Sequence, residues 1–184
     1  SGYVHGVILG TGTNTIKTLN NIKATTSSGC SAYGVYADGA TKDEDVNTLS
    51  VAGRITVTNT TGEKAGGVYN NGSKILTVTV TKDVTAAAPA GVSYVARSEA
   101  ADATTDVTVA GTMSATGAIA KLARAAAGDT LTLTGNGTAI LQGTAIARVA
   151  DVDGQSTINL KNITVKAEGP TAKSYAAYSN DGGG

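Results

Sequence analysis

The sequence predicts an all-β fold: a single-stranded parallel β-helix, or solenoid, of about seven turns with three short strands per turn. Three observations lead there. A glycine followed by a small apolar segment recurs at Gly6-Val7-Ile8, Gly34-Val35-Tyr36, Gly67-Val68-Tyr69, Gly91-Val92-Ser93-Tyr94, Gly117-Ala118-Ile119 and Gly143-Thr144-Ala145-Ile146, with a degenerate copy at Lys173-Ser174-Tyr175. The large residues of these copies (Ile8, Tyr36, Tyr69, Tyr94, Ile119, Ile146, Tyr175) return at intervals of 28, 33, 25, 25, 27 and 29 residues. Behind them runs an alternation of apolar and hydroxyl residues, the period-2 pattern of strands with one buried face. Finally, aromatic residues make up 4% of the chain, with neither Phe nor Trp. A narrow, layered interior tolerates that composition; a bulky globular core does not.

Each element of the turn has its own series. The glycine-led copies supply the first strand. The pairs Leu49 with Val51, Leu76 with Val78, Val107 with Val109, Leu131 with Leu133 and Ile158 with Leu160 supply the second, at spacings of 27, 31, 24 and 27. A third apolar position follows a short polar or glycine break, at Ile22, Ile55 with Val57, Met113, and Ile163 with Val165. A unit of about 27 residues cannot bury its apolar face alone, so successive copies must cover one another. Coiling places like strands parallel at a spacing of about 4.8 Å, a rod some 30–35 Å long. The interior is expected to hold Val, Ile, Leu and Ala with an occasional Tyr. Gly and Asn fit the corners. The segments from Ala37 to Asn47, Arg97 to Asp106 and Arg148 to Ser156 read as polar loops.

The 184 residues suit one β-helical domain over 1–184, expected to be a section of a longer array because both ends look cut. Fourteen basic residues balance fourteen acidic ones. No cationic run exists to neutralise a phosphate backbone, so nucleic acid is not an expected partner. The apolar runs Val7-Ile8-Leu9 and Ala86-Ala87-Ala88 fall far short of the roughly 20 residues of a spanning helix, so this segment is not expected to insert into a membrane. One cysteine, Cys30, excludes an intrachain disulfide framework.

Candidate chemistry is sparse. The one histidine, His5, reads as an exposed loop residue, and no Ser or Thr has a plausible basic partner for nucleophilic catalysis. Asp151 and Asp153, spaced to point the same way from an extended segment, suit an acid/base pair or a shared cation. They are followed only by Gln155 and Ser156, so a polar corner is the favoured reading. Asp43-Glu44-Asp45 reads as a solvated loop. Arg97, Arg124 and Arg148 follow similar apolar-Ala pairs and form a ladder on one face if the register holds; the competing reading is three exposed side chains balanced by nearby acids. Thr-x-Thr triplets at Thr56-Thr58, Thr77-Thr79 and Thr130-Thr132 suggest a hydroxyl array, although several copies lack them. Cys30 and Met113 read as packing residues, and Gly10-Thr11-Gly12-Thr13-Asn14 as a corner.

The element from Gly34 to Gly39 and Gly67 to Gly72, together with Leu49-Ser50-Val51-Ala52-Gly53-Arg54-Ile55-Thr56-Val57-Thr58-Asn59, resembles the repeats of bacterial autotransporter passengers and related large surface adhesins. The resemblance implies a right-handed β-helical stalk exported to the surface of a Gram-negative cell, where it serves adhesion, aggregation or biofilm contact. Implied partners are glycans or proteins of host or bacterial surfaces, with self-association also open. It carries over no catalytic residue. Neither it nor the residues assign a catalytic, cofactor-binding or metal-ligating position, and no cofactor is expected. The alternative is a polysaccharide-binding or polysaccharide-cleaving β-helix enzyme, although the Asn-Thr-Asp, Asp-Asp and Gly-His-Gly motifs of polygalacturonase-like β-helices are absent.

Overall fold

The computed structural model describes residues 2–40, 42–168 and 173–179. Among these residues the chain forms strands only: β1 (Tyr3–Leu9), β2 (Asn14–Leu19), β3 (Ile22–Thr26), β4 (Ser31–Ala37), β5 (Val46–Val51), β6 (Ile55–Asn59), β7 (Lys64–Asn70), β8 (Ile75–Val80), β9 (Val84–Ser98), β10 (Thr104–Val109), β11 (Met113–Ala125), β12 (Thr130–Val152), β13 (Thr157–Glu168) and β14 (Lys173–Ser179). Every pairing is parallel. The chain is a β-solenoid of about six turns.

Three faces result. The first stacks β1, β4, β7 and the C-terminal parts of β9, β11 and β12, with β14 last. The second stacks β2, β5, β8, β10 and the first parts of β12 and β13. The third stacks β3, β6, the N-terminal parts of β9 and β11, then the later parts of β12 and β13. In the later turns the strands run round corners unbroken, with register shifts at Gly117/Ile119 and Thr134/Gly137 that absorb the bend.

On the second and third faces alternation buries one side chain in two, whereas β4 and β7 of the first face are covered on both sides. The inward residues stack into columns such as Leu49-Val78-Val107-Leu133-Leu160 and Val35-Val68-Ala96-Ala123-Ala150. Each fully buried Leu or Val contributes about 1.5–3 kcal/mol by leaving water. Two expectations need correction. The tyrosines of the first face lie outside the rod, where Tyr33, Tyr36 and Tyr69 form a cluster separate from the aliphatic core. The register also differs: Leu49 pairs with Val78, not Leu76, and Tyr69 pairs with Arg97, not Tyr94. Leu76 lies instead against the inward-pointing Asn47.

The recurrent glycine has a steric cause. A Cβ at Gly6, Gly34 or Gly67 would meet Ile22, Ile55 or Val84 of the facing strand at 2.3, 2.3 and 2.4 Å. In the following turns the same position is Val95 and then Leu122, while the facing column runs from Val84 through Met113, whose Cε reaches towards Gly135, down to Ala139. Volume is thus exchanged between facing strands and the rod keeps its cross-section. Gly34→Ala is expected to cost about 1–3 kcal/mol as overpacking, measured by urea unfolding, and to cost less in an Ile55→Ala background, which lacks the Cγ2 it would meet.

Inward polar residues gather at the corner between the first and second faces. Asn14 Nδ2 donates to Asn47 Oδ1 (2.8 Å), and Asn47 Nδ2 donates to Ser73 Oγ (2.6 Å). Asn70 Nδ2 donates to Thr105 Oγ1 (2.8 Å), and Ser98 Oγ donates to Asp129 Oδ2 (2.6 Å). Asp129 also accepts the backbone N–H groups of Ala100 and Ala103, closing a loop that has no ladder of its own.

Candidate functional site

The outer side of the first face carries two columns of large polar side chains. One runs His5-Tyr33-Gly66-Tyr94-Lys121-Arg148-Tyr175 and its neighbour runs Ile8-Tyr36-Tyr69-Arg97-Arg124-Asp151-Tyr178. Parallel stacking brings equivalent positions to about 4.8 Å, so neighbours in a column must either stack or pair. Aromatic residues fill the N-terminal rungs and charged ones the central rungs.

In the aromatic part, the Tyr33 ring lies 5.0 Å from that of Tyr69 and 5.7 Å from that of Tyr36. Gly66 makes this possible: a Cβ there would lie 2.7 Å from Tyr33 Cδ1. Burial pushes the Tyr33 hydroxyl up to about 12 and raises that of Tyr69, so both stay protonated donors at physiological pH. Tyr69 donates to Asn71 Oδ1 at 2.7 Å. His5 lies here, in β1 and half-buried, its ring 4.4 Å from Tyr36, which corrects the exposed-loop reading. Burial lowers its pKa, favouring the neutral ring. A cleft of about 370 Å³ opens over this cluster, lined by Tyr3, Tyr33, Tyr36, Tyr69 and the polar groups of Ser31, Glu63, Lys64, Asn71 and Arg97.

The central rungs form an ion-pair network. Asp151 is fully buried and binds three cations: Lys121, Arg124 through Nη1 (3.1 Å) and Arg148 through Nη1 (3.2 Å). Arg124 also reaches Glu99 (2.7 Å) and Asp153 (3.3 Å), and Arg97 pairs with Glu99. Cation–π contacts join the network to the rings: Arg97 lies 4.4 Å over Tyr69, and Arg148 lies 3.6 Å over Tyr178. Burial pulls the Lys121 ammonium below its ordinary value despite Asp151.

Arg97 and Arg124 therefore share a column, but Arg148 stands in the adjacent one, above Tyr175 and beside Asp151. All three are paired with acids. Arg97 and Arg148 belong to strands, not to the loops expected of them. Glu99 and Lys121, which complete the network, were not legible as site residues, because nothing in their local sequence marks them. Asp43 and Glu44 are exposed as expected, but Asp45 turns inward and accepts backbone N–H groups from Gly12 (2.7 Å), Ala40 (3.0 Å) and Lys42 (3.0 Å). Met113 is fully buried, and Cys30 is a partly exposed thiol. The Thr triplets are divided between faces: Thr56 and Thr58 lie on the third, while Thr77, Thr79, Thr130 and Thr132 lie on the second, where Asp106 stands between Thr77 and Thr132.

Three carboxyls among the described residues are held below their ordinary range, Glu168 through its hydrogen bonds with Lys166 and Gln142. For Asp45 the causes are backbone N–H donors, first that of Lys42 and then that of Gly12. For Glu99 burial pushes upward, and Arg97 and Arg124 outweigh it. A lowered folded pKa contributes stability above the unfolded value and loses it as pH falls through the folded one. The carboxylate contribution to the urea midpoint is accordingly expected to hold from neutral pH to about 5 and to fall steadily below about 4, after a smaller loss below about 6.5 as the half-buried His5 is forced to charge. Glu99→Gln should flatten that fall.

Among the described residues no cluster of His, Cys, Asp or Glu has the makings of a metal site. Comparison of the chain with protein-family models, with curated proteins and with solved structures finds no match.

Proposed function

We propose that this chain is a section of a cell-surface rod that works by adhesion, aggregation or biofilm contact on the extracellular side and catalyses no reaction. The carrying observation is the outer side of the first face, where parallel register sets tyrosines and paired charges in two continuous columns over seven rungs. Such a surface is rigid before contact, so binding a partner orders few side chains. The resemblance of the Gly34 to Gly39 and Gly67 to Gly72 elements to autotransporter and adhesin repeats supports the same reading. Asp151 also supports it: three cations occupy its carboxylate, which suits a structural hub and not a proton-transferring base.

The test is adhesion. Beads carrying the chain should bind bacterial or epithelial cells, or clump with one another, more than beads carrying an unrelated solenoid of similar charge. Equal behaviour of the two bead types would sink the reading. In parallel, neutral and acidic polysaccharides are incubated with the chain, with and without calcium. Turnover that disappears in Asp151→Ala or Asp153→Ala would replace the adhesin by the enzyme.

A further inference from the structure

We propose that the tyrosine-floored cleft on the first face is a binding site for a neutral saccharide, at the scale of one to three sugar rings. This deepens the adhesin reading and rests on it for its biological setting. The size of the cleft, about 370 Å³, falls within the range of small-molecule sites. Its floor is Tyr33, Tyr36 and Tyr69, all less than one-tenth exposed and held by mutual ring contacts of 5.0 to 5.7 Å. Side chains already fixed in place lose little entropy when a ligand lands on them. A pyranose offers apolar C–H faces and a rim of hydroxyls, each of which both donates and accepts. Aromatic rings match the faces, and among the lining tyrosines it is Tyr3, 58% exposed at the edge of the buried floor, whose ring is open to a ligand.

The walls match the rim. Asn71 accepts from Tyr69 through Oδ1, which leaves its amide N–H groups to donate elsewhere. Glu63 supplies an acceptor and Lys64 a donor, and neither enters an ion pair among the described residues. Arg97 is stacked on Tyr69 and tied to Glu99, and its buried Nε has no hydrogen-bond partner. Of the charged lining residues, Glu63 stands beside Lys64, and Arg97 is engaged by Glu99, a carboxylate that Arg124 shares. A phosphorylated or strongly acidic ligand would face Glu63 and find the nearby arginine already engaged. A cationic ligand meets Lys64 and Arg97. An uncharged, hydroxyl-rich, flat-faced molecule answers every feature of the lining.

The whole chain is titrated with cellotriose, chitotriose, maltotriose and mannotriose, with trigalacturonate as the acidic comparison, and followed by saturation-transfer NMR and calorimetry. At least one neutral trisaccharide should bind saturably, and more tightly than trigalacturonate. Tyr36→Ala and Asn71→Ala, each checked for a native circular-dichroism spectrum and urea midpoint, should weaken that binding by about tenfold or more. Should Tyr36→Ala fail to fold, Lys64→Ala takes its place, because that side chain is partly exposed and can be truncated without opening the core. Asp153→Ala, remote from the cleft, should leave affinity unchanged. Absence of saturable binding by all four neutral sugars overturns the proposal, as does binding that the cleft variants leave intact or preference for trigalacturonate. The bead assay separates the two readings. Adhesion that persists without sugar binding sinks the cleft alone, whereas sugar binding without adhesion sinks the adhesin alone.

Discussion

Replacing Asp151 with alanine is expected to destabilise the rod by about 3–5 kcal/mol, read as a lowered urea midpoint at neutral pH. The carboxylate is fully buried and is the common partner of Lys121, Arg124 and Arg148, whose own side chains are 9%, 18% and 15% exposed. Its removal leaves three cations facing one another with little water to screen them. Lys121 is the one that can yield, since burial already lowers its pKa and loss of Asp151 lowers it further. A depressed lysine pKa penalises the folded state at low pH and ceases to do so once the amine is neutral in both states. The deficit of the variant should therefore narrow as pH rises from 7 toward 10. Asp153 is the control: it makes a single 3.3 Å contact and is 37% exposed, so its alanine variant should cost less than about 1 kcal/mol. Equal effects of the two variants would show that the network is not organised around Asp151.

Leu122→Ala should cost about 2–5 kcal/mol, because the cavity it opens cannot be filled by a neighbour of its own turn. Leu122 and Ala139 are both fully buried. Leu122 holds the place that Gly34 and Gly67 hold in earlier turns, and Ala139 follows Ile55, Val84 and Met113 in the facing column. Where the first residue is glycine, the second is large; here the sizes are reversed. Adding Ala139→Leu to Leu122→Ala should restore at least about 1 kcal/mol, while Ala139→Leu alone should destabilise by overpacking. Additive effects would mean that the two side chains do not share space, and the volume-exchange account would fail.

The solenoid was legible because its cause is written along the chain. Gly34-Val35-Tyr36 and Gly67-Val68-Tyr69 do stack, with Tyr36 directly against Tyr69. Register beyond that point was less accessible. A slip of two residues leaves every side chain of a strand on its own face, so alternation cannot choose between Leu76 and Val78 as the partner of Leu49. The choice falls to the buried corner, where Asn47 donates to Ser73 and places its strand against Leu76. The direction of the tyrosines was misread for a related reason. An occasional interior Tyr is what the repeat suggests, whereas Tyr33 and Tyr69 are buried on the outside, packed on one another and under Arg97, with Gly66 leaving room for the Tyr33 ring. The candidate site was the least legible, since the local sequence favours a polar corner at Asp151, and its three cations come from the preceding rung (Lys121 and Arg124) and from its own strand (Arg148).

Periodicity alone determined that this chain is a parallel solenoid with an aliphatic interior, because hydrophobic burial depends on which face a residue takes and face is set by local spacing. Only the tertiary structure decided which outward side chains meet. That outcome depends on the length of each loop between rungs: a slip of three residues would set Tyr69 against Tyr94 in place of Arg97. The cleft over Tyr33, Tyr36 and Tyr69 and the hub at Asp151 are products of that register.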